Sequence, residues 1–290
     1  MSQLAVHAEI DELMKHLPTA ELDIETIEDE RRSFPPDRQP IAVCLVNYNM
    51  PEAADALASH LFQFSQWPFD LFLVDNGSDL KPPAKWTSVQ LEHNVQTTNG
   101  WLAGVEASRF TGVDYLGYLF LITSARFTDT SEDILTPMAV FLNEHPDAVG
   151  IHPALTRNST THWEHMKDRG GVTPRRTWFI DNIASLWRRT WWDDALGVGK
   201  GGFDPRFIYG WGVDLELCLL ARRQKKSLWI HEGCWIEKET DVAYKMNRMG
   251  MSAEDRRQKA SANMAEVMKF KYGPRWDWIV RNEGVLPEWR

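Results

Sequence analysis

Asp75 closes the apolar run Leu71-Phe72-Leu73-Val74 and opens the turn cluster Asp75-Asn76-Gly77-Ser78-Asp79. A carboxylate there can accept a hydrogen bond from the N–H of a nucleobase, or it can fold back and hold the Asn-Gly turn. Asn47 and Tyr48 end an earlier apolar run, Ile41 to Val46, where they too can meet a ligand; for Tyr48 the alternative is an aromatic cap on the core. Thr123-Ser124-Ala125-Arg126 follows the run Tyr115 to Ile122. Hydroxyls and a guanidinium suit a phosphate-bearing ligand through charge-assisted hydrogen bonds, against the plainer reading of Arg126 as a solvated strand-end cation. Asp214 falls in the first turn of a helical pattern running from Val213 to Arg223, where the helix dipole favours its ionised form. Trp211, flanked by Gly210 and Gly212, offers a flat face on which a sugar ring or base can stack. Gly100 and Gly104 either let backbone approach a ligand or allow close helix packing, and Trp101 between them is a further candidate platform.

These residues need a frame that brings them together. Ile41–Val46 and Leu71–Val74 are continuous, β-branched apolar runs, as buried parallel strands should be. Val89-Gln90-Leu91 predicts a short third strand, Tyr115–Ile122 a fourth and Ala148–His152 a further one. Helical patterns fall between them: from Pro51 through Leu57 and Leu61, from Asn99-Gly100 to Phe110, and from Ser131 to Asn143. Such alternation predicts an α/β fold with a mostly parallel, doubly wound, Rossmann-like sheet. Ligands of these sheets sit outside the carboxyl ends of the strands, so residues 47–49, 75–79 and 123–126 should converge on one crevice. Beyond it, 157–177 reads as a long polar loop. Leu228–Ile230 and Gly233–Ile236 read as two short strands, and Ser252–Lys271 as a helix with a cationic outer face.

The net charge of −9 over 290 residues disfavours a surface built to coat nucleic acid or anionic lipid. That charge is uneven: residues 1–40 carry ten acids and four bases, whereas 239–290 carry eight acids and ten bases. Three segments follow: an acidic, helical N-terminal appendage over 1–39, an α/β domain over 40–238 and a helical C-terminal extension over 239–290. Cys44, Cys218 and Cys234 fit no zinc spacing and cannot all pair, which points to a reducing compartment. With no secretory signal and no apolar run of membrane-spanning length, a cytoplasmic protein is expected.

The motif series resembles the family 2 glycosyltransferases with the GT-A fold, and within them the rhamnosyltransferase-like branch. It comprises Val46–Asn49, Val74–Asp79, Asn99–Val105, Gly201–Phe207 and Gly212–Cys218 followed by Ala221-Arg222-Arg223, in the family's order across residues 40–238. The resemblance implies transfer of a hexosyl or deoxyhexosyl group from a nucleoside diphosphate sugar, UDP- or dTDP-linked, to a carbohydrate or other hydroxyl acceptor, with inversion. Asn47, Tyr48, Asp75, Asn76 and Gly100 then hold the nucleoside side, and Thr123, Ser124 and Arg126 face the diphosphate. Asp214 becomes the general base and Glu216 a structural neighbour, while Gly210, Trp211 and Trp101 form the sugar platform.

One departure stands out. Relatives carry Asp-X-Asp, or at least one Asp, after the fourth strand to hold a divalent cation, and this chain has none before Asp129. Hydroxyls alone make a poor site for a hard cation, so the resemblance implies a metal-independent enzyme, unless Asp129 or Glu237 supplies ligands. Arg126, Arg175, Arg176 or Lys238 would then neutralise the diphosphate. Two alternatives remain open: transfer to a hydroxymethylated DNA base, for which the basic runs 222–226 and Arg256-Arg257 speak, and a non-catalytic nucleotide-sugar or carbohydrate-binding relative.

Overall fold

A computed structural model describes residues 38–128, 133–239 and 252–289. Most of the acidic appendage (residues 1–37) and Asp129 lie outside the described residues.

Nine strands form one mixed sheet with helices packed against it: β1 Ile41–Asn47, β2 Phe69–Asp75, β3 Thr87–Gln90, β4 Gly117–Ile122, β5 Ala125–Arg126, β6 Ala148–Leu155, β7 Arg175–Thr177, β8 Ala184–Arg188 and β9 Ser227–Lys238. Their order is β3-β2-β1-β4-β8-β6-β9-β5, with β7 beside β9. The expected parallel pairing holds across β3-β2-β1-β4, but β8 enters antiparallel to both β4 and β6. Helices α1 Pro51–Phe64 and α2 Gln96–Phe110 make the first crossovers, and α3 Leu135–Glu144 leads into β6. The short α4 Arg189–Trp192 follows β8, α5 Val213–Arg223 precedes β9, and α6 Ala253–Tyr272 and α7 Trp276–Asn282 close the chain.

The topology itself locates the ligand crevice. From β1 the chain adds β2 and then β3 on one side, and returns to lay β4 on the other side. The connections therefore diverge at the carboxyl ends of β1 and β4, a topological switch point where doubly wound sheets open a crevice. Both strands are almost wholly buried up to that end, so Asn47–Met50 and Thr123-Ser124 have a rigid base.

Three boundaries differ from expectation. α2 starts at Gln96 rather than Asn99, after Gln96 itself takes a left-handed φ of 68°. Its glycines serve packing: a Cβ on Gly100 would stand 3.0 Å from Val46, and one on Gly104 3.2 Å from Cys44. The two short strands expected around residue 233 are one strand, β9, whose pairing to β6 shifts register between Pro153 and Ala154. The loop over 157–177 contains a short 3-10 turn, Glu164–Met166, and ends in β7.

The C-terminal helices dock on the α/β core through buried charge. Arg222 of α5, 8% exposed, donates to the backbone carbonyls of Trp178, Val280 and Glu283. Lys271 of α6 pairs with Glu216 at 2.5 Å and Asp204 at 2.8 Å, and Tyr272 donates to Glu216 at 2.6 Å. Arg223 pairs with Glu283, so Arg222 and Arg223 of the basic run 222–226 serve this docking, while Lys225 and Lys226 are exposed.

Candidate active site

A cleft of about 720 Å³ opens at the switch point. Its floor comes from the ends of β1 and β4, one wall from the α2 entry, another from residues 160–163 and 181–182, and its far side from α6 and α7.

Asp214, in the first turn of α5, lines this cleft, as the sequence placed it. The preceding backbone is tightly constrained. Gly212 has φ 95°, and a Cβ there would come within 2.9 Å of Phe207 and 2.8 Å of Met264. Phe207 is fully buried and its carbonyl accepts from Thr98 Oγ1, which ties this turn to α2. One carboxylate oxygen of Asp214 accepts from the backbone N–H of Leu215 at 2.8 Å. Its helix-start role is therefore real, but it leaves the second oxygen for other chemistry.

Asp181 is the partner the sequence reading missed. It lines the cleft with Asp214 and lies 3.5 Å from Lys238 Nζ, which ends β9. Burial, and then the charge of Asp181, push the Asp214 carboxyl up to about 8, while Lys238 acts in the opposite direction. A carboxyl beside a second carboxylate resists ionisation. The result is a carboxyl tuned towards neutrality, the range in which a general base combines availability with strength.

The remaining expectations divide cleanly. Tyr48, Asn76, Thr123, Ser124, Gly210 and Trp211 line the cleft. Tyr48 donates to Asp79 at 3.0 Å, and Asn76 ties the 94–96 turn to the strand end, accepting from Val95 N at 2.9 Å. Trp211 is 39% exposed, as a platform at the cleft requires.

Asn47, Asp75, Gly100 and Arg126 are not among the described lining residues. Asp75 is 1% exposed and its oxygens accept from Asn47 Nδ2 (3.0 Å), Ser78 Oγ (2.6 Å) and Ser78 N (3.0 Å). The turn-holding alternative is the one seen for Asp75, and Asn47 is its partner. Arg126 pairs with Glu237 of β9 at 3.6 Å and with Glu239, just past that strand, at 3.1 Å. That pairing also occupies Glu237.

Trp101 reaches the cleft but is 4% exposed, its ring packed on Phe120 and Phe203. It is a wall rather than an open platform. Trp178 and Trp187 belong to the core. Arg175 pairs with Glu232 and Arg176 with Asp147, both away from the cleft; of the cations considered for the diphosphate, Lys238 alone lines it. Arg256, Arg257 and Arg281 join it from the C-terminal helices.

Among the described residues no group of three or more His, Cys, Asp or Glu could hold a metal ion. The end of β4 presents Thr123 and Ser124, and Asp181 is engaged with Lys238.

No family model matches the sequence, and no curated protein matches it either. Solved structures do match. They include GalNAc-T7 with UDP, GalNAc and Mn2+, at a TM-score of 0.53 and 10% identity, over 84% of this chain and 50% of that one. The fold is GT-A. This chain spans half the length of that GT-A glycosyltransferase. Among the described residues, no helix of this GT-A chain is long and apolar enough to cross a membrane.

Proposed function

We propose that this GT-A chain is an inverting, metal-independent glycosyltransferase that moves a sugar from a nucleoside diphosphate sugar to an acceptor hydroxyl. The carrying observation is Asp214, a carboxyl of raised pKa lining the cleft at the switch point of the sheet. The motif order supports the rhamnosyltransferase-like branch, and with it a hexosyl or deoxyhexosyl donor on UDP or dTDP.

In the reaction, the acceptor O–H gives its proton to the Asp214 carboxylate as its oxygen attacks the anomeric carbon. The bond from that carbon to the diphosphate oxygen breaks, and the nucleoside diphosphate leaves with the electron pair. One displacement inverts the anomeric centre. Asp181 acts through Asp214: its negative charge keeps the base strong, while Lys238 limits how far that goes. Tyr48 and Asn76 border the nucleoside end, and Trp211 presents an aromatic face to a sugar ring.

A panel of UDP- and dTDP-linked sugars in excess chelator tests this reading. One of them should raise the melting temperature by binding the folded state, and NMR of the transfer product should show the anomeric configuration opposite to the donor's. No shift with any nucleotide sugar, or a product of retained configuration, would contradict it.

A further inference from the structure

A nucleoside diphosphate brings concentrated negative charge, yet the described residues offer no cation site at the end of β4. The cleft carries its positive charge elsewhere. Arg256 and Arg257 lie near the start of α6, and that helix also presents Ala260, 3% exposed, and Met264 to the same cleft. We propose that Arg256 and Arg257 bind the donor diphosphate in place of a metal ion, which makes the C-terminal helix part of the donor site. The inference rests on the nucleotide-sugar reading of the cleft.

Geometry supports it in two ways. First, Arg256 is held on the nucleoside wall. Its Nη1 donates to Gln96 Oε1 at 3.2 Å and its guanidinium stands 5.7 Å from the Tyr209 ring centroid. Gln96 opens α2, and its carbonyl accepts from Asn76 Nδ2 at 3.1 Å. Arg256 and Asn76 thus share one anchoring residue.

Second, the helix bearing the arginines is fixed to the core. Beyond the Lys271 and Tyr272 contacts to Glu216, Asn263 donates to the carbonyl of Arg206 at 3.0 Å. Cations on such a support are pre-organised, so little ordering is needed when the ligand binds.

Guanidinium forks match phosphate oxygens in a bidentate manner that an ammonium cannot. As the bond to the anomeric carbon breaks, charge grows on the leaving diphosphate, and fixed guanidinium groups stabilise it there.

Calorimetric titration in excess EDTA tests the assignment, with inorganic pyrophosphate, UDP and dTDP as probes. The full chain should bind pyrophosphate and one of the nucleotides without metal. Arg256→Gln and Arg257→Gln should each weaken both by about tenfold or more, the loss of one charged hydrogen-bonding group. Arg256→Lys should fall between, while Arg275→Gln, an exposed arginine outside the cleft, should change nothing. Arg257 is 47% exposed and pairs only with the exposed Glu254 of its own helix among the described ion pairs, at 2.8 Å, so its variant keeps the test open if Arg256→Gln folds poorly. Wild-type affinity in both glutamine variants would overturn the assignment. Nucleotide binding only with Mn2+ would overturn it too, but leave the nucleotide-sugar reading standing. No binding of any probe, with or without Mn2+, would remove both.

Discussion

Asp214→Asn is expected to lower kcat for sugar transfer by about a hundred- to ten-thousand-fold, the usual contribution of a positioned general base. The amide keeps the shape of the side chain but cannot take the acceptor's proton. Donor affinity, measured by calorimetry, should stay close to that of the wild type, because binding does not require the proton transfer. Full activity in this variant would remove Asp214 from the mechanism.

The same substitution should act oppositely on stability. In the folded chain burial, and then the charge of Asp181, push the Asp214 carboxyl far above its ordinary value. A carboxyl whose pKa rises on folding favours the folded state only while protonated. Its cost therefore appears as pH climbs above the unfolded value and is complete above the folded one. Melting temperatures of Asp214→Asn should match the wild type at acidic pH and exceed it above neutral pH. Gain of stability with loss of activity is the pattern expected where a site holds a strained charge for its chemistry.

The second large effect lies away from the cleft. Lys271→Met should destabilise the fold by about 3–5 kcal/mol at neutral pH, the cost of leaving buried charge without its partner. Lys271 lies between Asp204 and Glu216, which are 5% and 0% exposed. Burial raises the Glu216 carboxyl, and Lys271 and Tyr272 counter that; with Lys271 gone, only Tyr272 remains on the Glu216 side. Asp204 keeps Arg206 and is held low, at about 2, by Arg206 and Lys271 together. Glu216 should then take up a proton in the variant, so the destabilisation shrinks as pH falls towards the ordinary range of Glu. Chemical denaturation of both proteins across pH measures it. A loss that does not vary with pH would assign the effect to packing rather than charge.

The parts of the site that a sequence can reveal are those carried by local pattern. Buried strands ending in Asn47 and Ile122, and the helix from Val213, follow from apolar runs and periodicity, and these elements bring Thr123, Ser124 and Asp214 to the cleft. Asp75 shows the limit of that reasoning. Its position at a strand end fits a ligand contact or a turn equally well, and only the three-dimensional contacts with Asn47 and Ser78 distinguish them. Arg126 pairs with Glu237 and Glu239, which lie more than a hundred residues later in the chain.

Arg256, Arg257 and Arg281 could not be placed at all by pattern. They reach the cleft because Arg222 and Lys271 dock the terminal helices, and such long-range pairings leave no local trace. Asp181 did leave one. It is a single acid inside the apolar stretch Trp178-Phe179-Ile180, Ile183-Ala184, and an isolated carboxyl in such a stretch is either partnered or functional.

The pH dependence of kcat/KM for sugar transfer, compared between the wild type and Asp181→Asn, tests the central claim most directly. Because the base must be ionised, the wild-type rate should rise with pH through an apparent pKa far above the ordinary carboxylate range. Removing the Asp181 charge should move that limb to lower pH. A wild-type limb near the ordinary Asp value, or one that stays in place in Asp181→Asn, would contradict Asp214 as a base tuned by Asp181.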